Sequence, residues 1–347
     1  MNRQGGSRLT VHAALIITVL GSTLVQAIPT DAEAGTSNGP RVAILATSIT
    51  LDEQDHTLDG VLGLEPGSIY VFREVGTPRR IDMGEGVSST YVNPSPRGDR
   101  LAAEAGWSRP HSQGEPEVAL RVLDSLSRQE AVFPEAVSTA WSPDGYRLAI
   151  VHGRYKGEEE VPVTDSVSVW DARTGRVTVF RVHPYAVGWF GSDSLLLDSW
   201  RGCRLLDLID GSVHENSYHG SILSSDREFS IGGSPESGPR IWDERRGIDI
   251  THDLEQLIEG AWIRPSPGPF WLPVPGAVLC IPACLYASAQ VPGATRSARC
   301  STYVIDVRSR VTMRRIPGRA IGASTDRKAA VLLRGTSLQF VDLLHPE

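Results

Sequence analysis

The sequence motifs that mark the common catalytic sites do not occur in this chain of 347 residues. There is no G-x-S-x-G nucleophile elbow, no H-E-x-x-H metal-binding pair and no glycine-rich phosphate loop. The nine histidines are scattered, and the nearest pair is His214 and His219. Serine and aspartate are plentiful, but no spacing marks a catalytic triad. The sequence therefore predicts no catalytic residue, no metal ligand and no cofactor.

Acidic residues, by contrast, are concentrated in three stretches. The first is Leu51–Pro66, the second Gly106–Pro116 and the third Gly153–Thr164. Their acidic residues, including those at the borders, are Asp52, Glu53, Asp55, Asp59, Glu65, Glu104, Glu115, Glu117, Glu158, Glu159, Glu160 and Asp165. Only Arg109, Arg154 and Lys156 oppose them. Three interpretations stay open: a solvated surface, a docking face for a basic protein segment, or a Ca²⁺ site. The calcium site is the weakest of the three, because the first stretch lacks the alternate-residue spacing of an EF-hand loop.

Four cysteines remain as candidates for disulfides: Cys203, Cys280, Cys284 and Cys300. An even number in an exported chain permits two bridges. We expect Cys284–Cys300, which would close the base of the long loop Leu285–Arg299, and Cys203–Cys280 then follows by elimination. Free buried thiols are the alternative. A zinc site is disfavoured, because no second pair completes the C-x-x-x-C spacing.

A repeat defines the elements that would position these residues. Ser142-Pro143-Asp144-Gly145-Tyr-Arg-Leu-Ala aligns without gaps on Ser95-Pro96-Arg-Gly98-Asp-Arg-Leu-Ala, at an offset of 47 residues. Each copy reads as a strand, a Pro/Gly turn and a second strand. A second pattern is a short apolar strand that ends in Asp before a turn. Its copies place the acid at Asp124, Asp171, Asp207, Asp243, Asp306 and Asp342, and Arg73 takes that place in a degenerate seventh copy.

The spacing of these positions predicts an all-β fold. Four short strands with their turns need about 40 residues, which is the period of a propeller blade. We therefore predict a β-propeller of seven four-stranded blades, with six as the alternative. The first unit lacks an innermost strand before Arg41, and the last unit stops just after its third strand. An aspartate before a tight turn bonds backbone N–H groups, so we interpret the repeated Asp residues as turn structure.

The SPDG residues, preceded by Trp141, resemble the repeats of TolB-like and WD-repeat-like propellers, including those of prolyl-oligopeptidase-type enzymes. The resemblance implies that Trp141 packs between neighbouring blades and that Asp144 and Gly145 make the turn between the two inner strands. We interpret the tryptophans at similar places in their units as core residues: Trp141, Trp170, Trp189, Trp242 and Trp262. The sequence ends five residues after Asp342, so we expect no α/β-hydrolase domain after the propeller.

The N-terminus has the features of a secretory signal. Residues 1–27 combine Arg3 and Arg8 with an uncharged apolar stretch from Ala13 to Ala27. We predict a cleaved signal peptide, with an uncleaved anchor as the alternative, a flexible leader at 28–40 and a single propeller domain at 41–347. No later segment is apolar enough to span a membrane. The net charge of −7 argues against a nucleic-acid partner, because phosphate binding needs a basic face.

Together these patterns favour binding over catalysis. The three acidic stretches and Leu285–Arg299 all fall between the second and third strands of a unit, so we expect four long loops on one face. We predict a non-enzymatic, extracytoplasmic monomer that binds a protein or peptide through Asp52, Glu53, Asp55, Asp59 and Glu158–Glu160. The first alternative is a lactonase-like or glycan-acting propeller enzyme with a central-funnel site, which could depend on a metal. The second is a purely structural envelope module.

Overall fold

The computed structural model describes residues 42–46, 68–74, 77–81, 83, 87–107, 119–124, 128–154, 163–199, 202–232, 239–259, 261–263, 268–286, 298–334 and 337–344. These residues form seven antiparallel sheets arranged as the blades of a β-propeller, which confirms the predicted fold class and blade number. The second to fifth blades have four strands each. In the sixth blade two short strands together form the inner edge. Over the described residues, the first and seventh blades have three strands each.

The strands follow the repeat along the chain. The first three blades contain β1 (Val42–Ala46), β2 (Ile69–Arg73), β3 (Arg79–Ile81), β4 (Val87–Pro94), β5 (Arg100–Trp107), β6 (Ala119–Asp124), β7 (Gln129–Pro134), β8 (Ala136–Trp141), β9 (Arg147–Arg154), β10 (Val163–Asp171) and β11 (Val177–Phe180). The fourth and fifth contain β12 (Ala186–Trp189), β13 (Ser194–Ser199), β14 (Gly202–Asp207), β15 (Val213–Glu215), β16 (Ile222–Leu223), β17 (Phe229–Gly232), β18 (Arg240–Asp243) and β19 (Ile248–Asp249). The sixth and seventh contain β20 (Trp262–Ile263), β21 (Phe270–Trp271), β22 (Val278–Tyr286), β23 (Ala298–Asp306), β24 (Val311–Pro317), β25 (Arg319–Ala323), β26 (Ala329–Arg334) and β27 (Ser337–Asp342).

A short helix, α1 (Thr251–Leu257), links the fifth and sixth blades and buries Leu254 in their common core. None of the helices in the described part of the chain has the length and hydrophobicity that a membrane-spanning helix requires.

The central strands of each blade are apolar on both faces because each blade packs against two neighbours. In β9, Leu148 and Ile150 lie in the core shared with the second blade. Ala149 and Val151 lie in the core shared with the fourth blade. Continuous apolar runs are expected for strands that are covered on both sides. The hydrophobic core is therefore a ring of interfaces between blades.

Tryptophans link the inner strands of neighbouring blades. Trp141 is 1% exposed, and its indole Nε1–H donates to the backbone oxygen of Asn93 in the second blade at 2.8 Å. Trp189 donates to Ala140 of the third blade at 2.8 Å in the same way. Trp271, which sequence reasoning did not single out, donates to Ile222 of the fifth blade at 3.1 Å. Trp170 is buried, Trp242 is half-buried, and the side chain of Trp262 lies outside the described residues.

The SPDG turn is held by a serine and an aspartate. Ser142 Oγ donates to Asp144 Oδ1 at 2.5 Å, and the same hydroxyl accepts the backbone N–H of Arg147 at 2.8 Å. Ser224 with Asp226 and Ser324 with Asp326 make the same pair of contacts. Gly145 has φ of 71°, a conformation that costs an L-residue free energy.

The aspartates at the ends of the third strands also make turns. Asp171 Oδ1 accepts the backbone N–H groups of Arg173 at 2.8 Å and Thr174 at 3.2 Å. Asp207, Asp306 and Asp342 each accept the backbone N–H two residues on. These hydrogen bonds hold the pKa of Asp171 below its ordinary value of 3.8, against the opposing effect of burial.

Only one of the two expected disulfides is present. Cys284 and Cys300 lie opposite each other on β22 and β23, and their sulfurs are bonded. The expected Cys203–Cys280 bridge was wrong, since both are free and buried. Cys203 lies on β14 of the fourth blade and Cys280 on β22 of the sixth, with the fifth blade between them. A bridge requires Cα atoms within about 7 Å. The pairing predicted by elimination failed because the sequence does not show which blade holds each cysteine.

Candidate functional site

The propeller has two distinct faces. The face that we call the turn face carries the turns between first and second strands, and adjacent turns touch around the ring. The Arg97 guanidinium of the second blade lies over the Tyr146 ring of the third, 4.6 Å from its centroid. Arg227 of the fifth blade lies over Phe190 of the fourth at 4.3 Å. Because blades are antiparallel, the second-to-third-strand connections must leave from the opposite face, which we call the loop face.

The four long connections predicted from the sequence begin and end on this loop face. The described strand ends that flank them belong to the hairpins β1–β2, β5–β6, β9–β10 and β22–β23. Three of these hairpins are in consecutive blades. The predicted binding residues Asp52, Glu53, Asp55, Asp59, Glu158, Glu159 and Glu160 lie outside the described residues. The described strands on either side locate only the two ends of each connection, so the placement of these residues stays a prediction.

One basic side chain at the described margin of the loop face is engaged in an ion pair. Arg154, one of the two basic residues in the third acidic stretch, is 70% exposed, and its Nε lies 2.6 Å from Glu135 Oε1. Glu135 is the single residue that joins the second and third blades. Nearby, the His183 ring bonds the backbone oxygen of Thr164 through Nδ1 at 2.7 Å, which fixes the start of β10. One of the two basic side chains of the third acidic stretch is therefore paired.

A cluster of titratable groups lies between the fourth and fifth blades. Asp198, the second-to-last residue of β13, is directly opposite Cys203 on β14. Burial raises the pKa of Asp198 to about 7, although a hydrogen bond from the Ser199 backbone N–H opposes the shift. Burial, with Asp198 and Glu244 nearby, raises the pKa of the Cys203 thiol well above its ordinary range. Cys203 is therefore an inert buried thiol.

Tyr218 borders the same cluster. Its backbone oxygen accepts the Cys203 N–H at 3.3 Å, and its ring centroid lies 5.9 Å from that of Phe190. Burial raises the pKa of the Tyr218 hydroxyl, while Arg227 opposes the shift.

Glu244 and His219 form a hydrogen-bonded pair in the fifth blade. The Glu244 side chain is 4% exposed, and it accepts three hydrogen bonds. They come from the His219 backbone N–H at 2.8 Å, the His219 ring Nδ1 at 2.9 Å and the Ser230 hydroxyl. The His219 ring stacks on Trp242, with centroids 4.3 Å apart. The pair satisfies a buried carboxylate and fixes the imidazole, leaving Nε2 directed away from the acid.

This pair supplies an oriented imidazole, but the described residues place no nucleophile beside it. Ser230 donates to Glu244, so it is not the hydroxyl that an imidazole base would activate. Among the described residues, no hydroxyl or thiol is hydrogen-bonded to His219 Nε2. Over the same part of the chain, no three His, Cys, Asp or Glu side chains are grouped to hold a metal ion. Sequence reasoning noted His219 only as a scattered histidine, because Glu244 is 25 residues away and only the fold joins them.

The described residues also form an open groove of ≈ 530 Å³ on the outside of the ring, between the second and third blades. Its walls include Val132, Trp170 and Val177. The one carboxylate in its lining, Glu130, is paired with Arg100 at 2.7 Å. The groove offers a mixed apolar and polar surface with no reactive side chain.

The comparisons with known proteins show no family. No protein-family model matches the chain, and no curated protein sequence matches it. Among solved structures, it is similar to Pyrococcus horikoshii acylaminoacyl peptidase, with 15% identity over 80% of this chain and 48% of that chain (TM-score 0.48). It is also similar to Kuenenia stuttgartiensis hydrazine synthase, with 14% identity over 74% of this chain and 76% of that chain (TM-score 0.45). A third is the propeller domain of the trilobed protease from Pyrococcus furiosus, with 11% identity over 73% of this chain and 94% of that domain (TM-score 0.40).

These likenesses say nothing about activity. The chain spans about half the length of the acylaminoacyl peptidase, and all three identities are below 16%. Fold alone does not transfer function, because a propeller can host many kinds of site. Whether the SPDG repeats are of the TolB-like or the WD-repeat type stays a prediction.

Proposed function

We propose that this protein is an exported, non-enzymatic β-propeller that binds a basic protein or peptide segment on its loop face. One observation carries the proposal: three consecutive blades have long acidic second-to-third-strand connections, and the described ends of all three belong to the same face. Loops held by a rigid scaffold are the usual binding elements of such folds. A cluster of one charge sign steers an oppositely charged partner and raises its association rate.

The pairing of Arg154 with Glu135 strengthens the electrostatic part of this proposal. A basic residue within an acidic loop would otherwise offset one of its carboxylates. Here the guanidinium is held at 2.6 Å by an acid from the adjoining blade junction. This pairing leaves Lys156 as the other basic residue of the stretch beside Glu158, Glu159 and Glu160, and we assign these three carboxylates the central part of the binding surface.

The Cys284–Cys300 disulfide supports the exported location, since disulfides persist in oxidising compartments. We propose that residues 1–27 direct export and that the propeller acts outside the cytoplasm. The fourth long connection, between β22 and β23, is the one that this disulfide closes at its base. It would give the loop face one covalently restrained loop.

A charge-reversal experiment tests the proposal. Purified protein is used to capture partners from cell-envelope extract and to bind a lysine-rich peptide, measured by fluorescence anisotropy. Reversal of Glu158, Glu159 and Glu160 to Lys should weaken peptide binding by about tenfold or more and remove basic proteins from the captured set. The matched control reverses three exposed acids outside the acidic stretches, Asp210, Glu215 and Glu259. Equal binding by both triple variants would refute the proposed surface.

The alternative function is a propeller enzyme, and the observation that favours it is the oriented imidazole of His219. An imidazole held by a buried carboxylate is the usual form of a general base. A panel of lactone, ester and glycoside substrates, with and without Ca²⁺, separates the two functions. Turnover that is lost in His219→Gln but kept in the loop reversal would replace the binding proposal with this one.

A further inference from the structure

The fourth strand of the third blade, β11, has an unprotected outer edge. Its sequence, Val177-Thr178-Val179-Phe180, contains no charged residue and no proline. Val177 is 43% exposed and Val179 is 61% exposed. The fourth strands of the second, fourth, fifth and sixth blades each contain a charged residue: Glu130, Glu215, Asp249 and Arg314. Because charges protect an edge strand against pairing, β11 lacks a protection that these other strands carry.

The hydrogen-bond register directs the backbone groups of two valines toward this edge. The Asp171 N–H donates to the Arg176 backbone oxygen at 2.9 Å, so these two residues form a hydrogen-bonded pair. Bonded and non-bonded pairs alternate in an antiparallel ladder, and Thr178 is therefore bonded to β10. The N–H and C=O groups of Val177 and Val179 point away from β10, where no described strand pairs with β11. Both valines thus offer their backbone groups to an added strand.

The same edge borders the open groove between the second and third blades. This groove of ≈ 530 Å³ is lined by Val177 and Trp170 and, from the second blade, by Val132. Val132 is 44% exposed. Residues directly opposite each other in a sheet point to the same face, so a residue added opposite Val177 would project its side chain toward the groove. Backbone bonding along an edge, with sites for alternate side chains, is how many domains bind extended peptides.

Two arginines flank the strand and determine the charge of its partner. Arg176 precedes β11 and Arg181 follows it, and both are exposed. Within the described part of the chain, neither guanidinium is in an ion pair. The carboxylate in the groove lining, Glu130, is paired with Arg100 at 2.7 Å. We propose that β11 binds an extended peptide that has alternating apolar residues and an acidic residue at each end.

A second copy of this chain fits the same edge less well. Antiparallel pairing of two β11 strands would bring together Arg176 and Arg181 of both copies along one short ladder. Like charges on opposing strands destabilise a sheet. Acidic residues at the ends of a bound peptide would instead lie beside the two arginines, with complementary charge. Charge complementarity therefore favours the acidic peptide as the occupant.

Peptide binding measured by fluorescence anisotropy tests this proposal. The probe is a short synthetic peptide in which valine and threonine alternate between aspartates at both ends. Its matched control has serines in place of the aspartates. We expect the acidic peptide to bind about tenfold or more tightly than the neutral one, and Arg176→Glu with Arg181→Glu should remove this preference. Equal binding of the two peptides to the unaltered protein would show that the occupant is not acidic.

Proline substitutions identify the strand that binds. Val177→Pro removes one outward N–H, and Val213→Pro makes the same change in β15, because each valine follows the residue whose oxygen closes its turn. Proline is tolerated on an edge strand, so both variants should fold. We expect V177P to weaken binding of the acidic peptide by about fivefold or more and V213P to leave it unchanged. Equal affinities of the two variants would overturn the proposal.

Hydrogen exchange provides a measurement on the unaltered protein. The acidic peptide should slow exchange of the Val177 and Val179 amides by about tenfold or more, whereas the Thr178 amide, already bonded to β10, should change less. Protection of these two amides that rises with protein concentration in the absence of peptide would mean that a second copy occupies the edge, and the proposal would be wrong. Reversal of Glu158–Glu160 should not alter protection by the peptide, so this proposal and the loop-face proposal can fail separately.

Discussion

The indole N–H of Trp141 donates to the backbone oxygen of Asn93, a residue of the neighbouring blade 48 positions earlier in the chain. The same bond recurs between Trp189 and Ala140 and between Trp271 and Ile222, at offsets of 49 residues. Each offset is about the number of residues in one blade. The tryptophan at the end of an inner strand therefore hydrogen-bonds its blade to the preceding one.

Trp141→Phe should therefore lower the free energy of unfolding. The ring would still fill most of the space, but the Asn93 oxygen would be buried without a donor, which costs about 1–3 kcal/mol. Urea unfolding followed by circular dichroism measures this. Val179→Ala, on an exposed outer strand, is the control and should change stability by about 0.5 kcal/mol or less. An equal effect of both changes would contradict a structural role for the indole bond.

Gly145→Ala should destabilise the protein more than Gly175→Ala. Both glycines have positive φ, 71° and 69°, so both changes incur about 1–2 kcal/mol of backbone cost. At Gly145 the new methyl would also lie 2.7 Å from Arg97 Cγ and would displace that side chain from Tyr146. Nothing lies within 4 Å of the equivalent point at Gly175. Thermal unfolding of both variants gives the difference, and identical melting temperatures would mean that the Arg97 contact contributes nothing.

Asp198 should make the stability fall as the pH rises. Its pKa is raised to about 7 in the fold from an ordinary 3.8, so the folded state retains a proton that the unfolded state releases. This contribution is fully present below pH 3.8, declines up to about pH 7 and is constant above it. Asp198→Asn should remove that decline, measured as urea stability across the same range.

Asp210→Asn gives a control of opposite sign. Hydrogen bonds from Ser212 lower the pKa of the exposed Asp210, so this carboxylate stabilises the fold above its ordinary pKa of 3.8 and loses that effect as the pH falls. If D198N and D210N shift the pH profile in the same direction, the assignment of Asp198 as a half-buried, proton-retaining group is wrong.

The number of free thiols can be measured with a thiol reagent. Native protein without reductant should react with no thiol reagent, because Cys203 and Cys280 are buried. Denaturation should expose two thiols, and denaturation with reductant should expose four. Cys284→Ser with Cys300→Ser should lower the free energy of unfolding by about 3 kcal/mol, as expected for a closed loop of about 15 residues. Four thiols without reductant would show that the bridge does not form.

Periodicity was enough to predict the blades. The repeated Asp positions and the two SPDG copies form turns, and a turn depends on residues that are close in sequence. Seven blades and the shortened first and last units could therefore be predicted. The same reasoning predicted Cys284–Cys300, because the two cysteines lie on the two strands of one hairpin and are close in sequence. Cys203–Cys280 failed because a pairing between blades depends on which strand each cysteine occupies in the ring.

Tertiary structure alone decided the remaining relationships. The sequence determined a repeating strand–turn pattern, an acidic charge distribution and an N-terminal segment with the features of a signal. Only the packing of blades against one another brought His219 to Glu244 and desolvated Asp198 opposite Cys203. The physical reason is distance along the chain. Turns and strands follow from neighbours in sequence, whereas burial and shifted pKa values arise from contacts that only the folded ring creates.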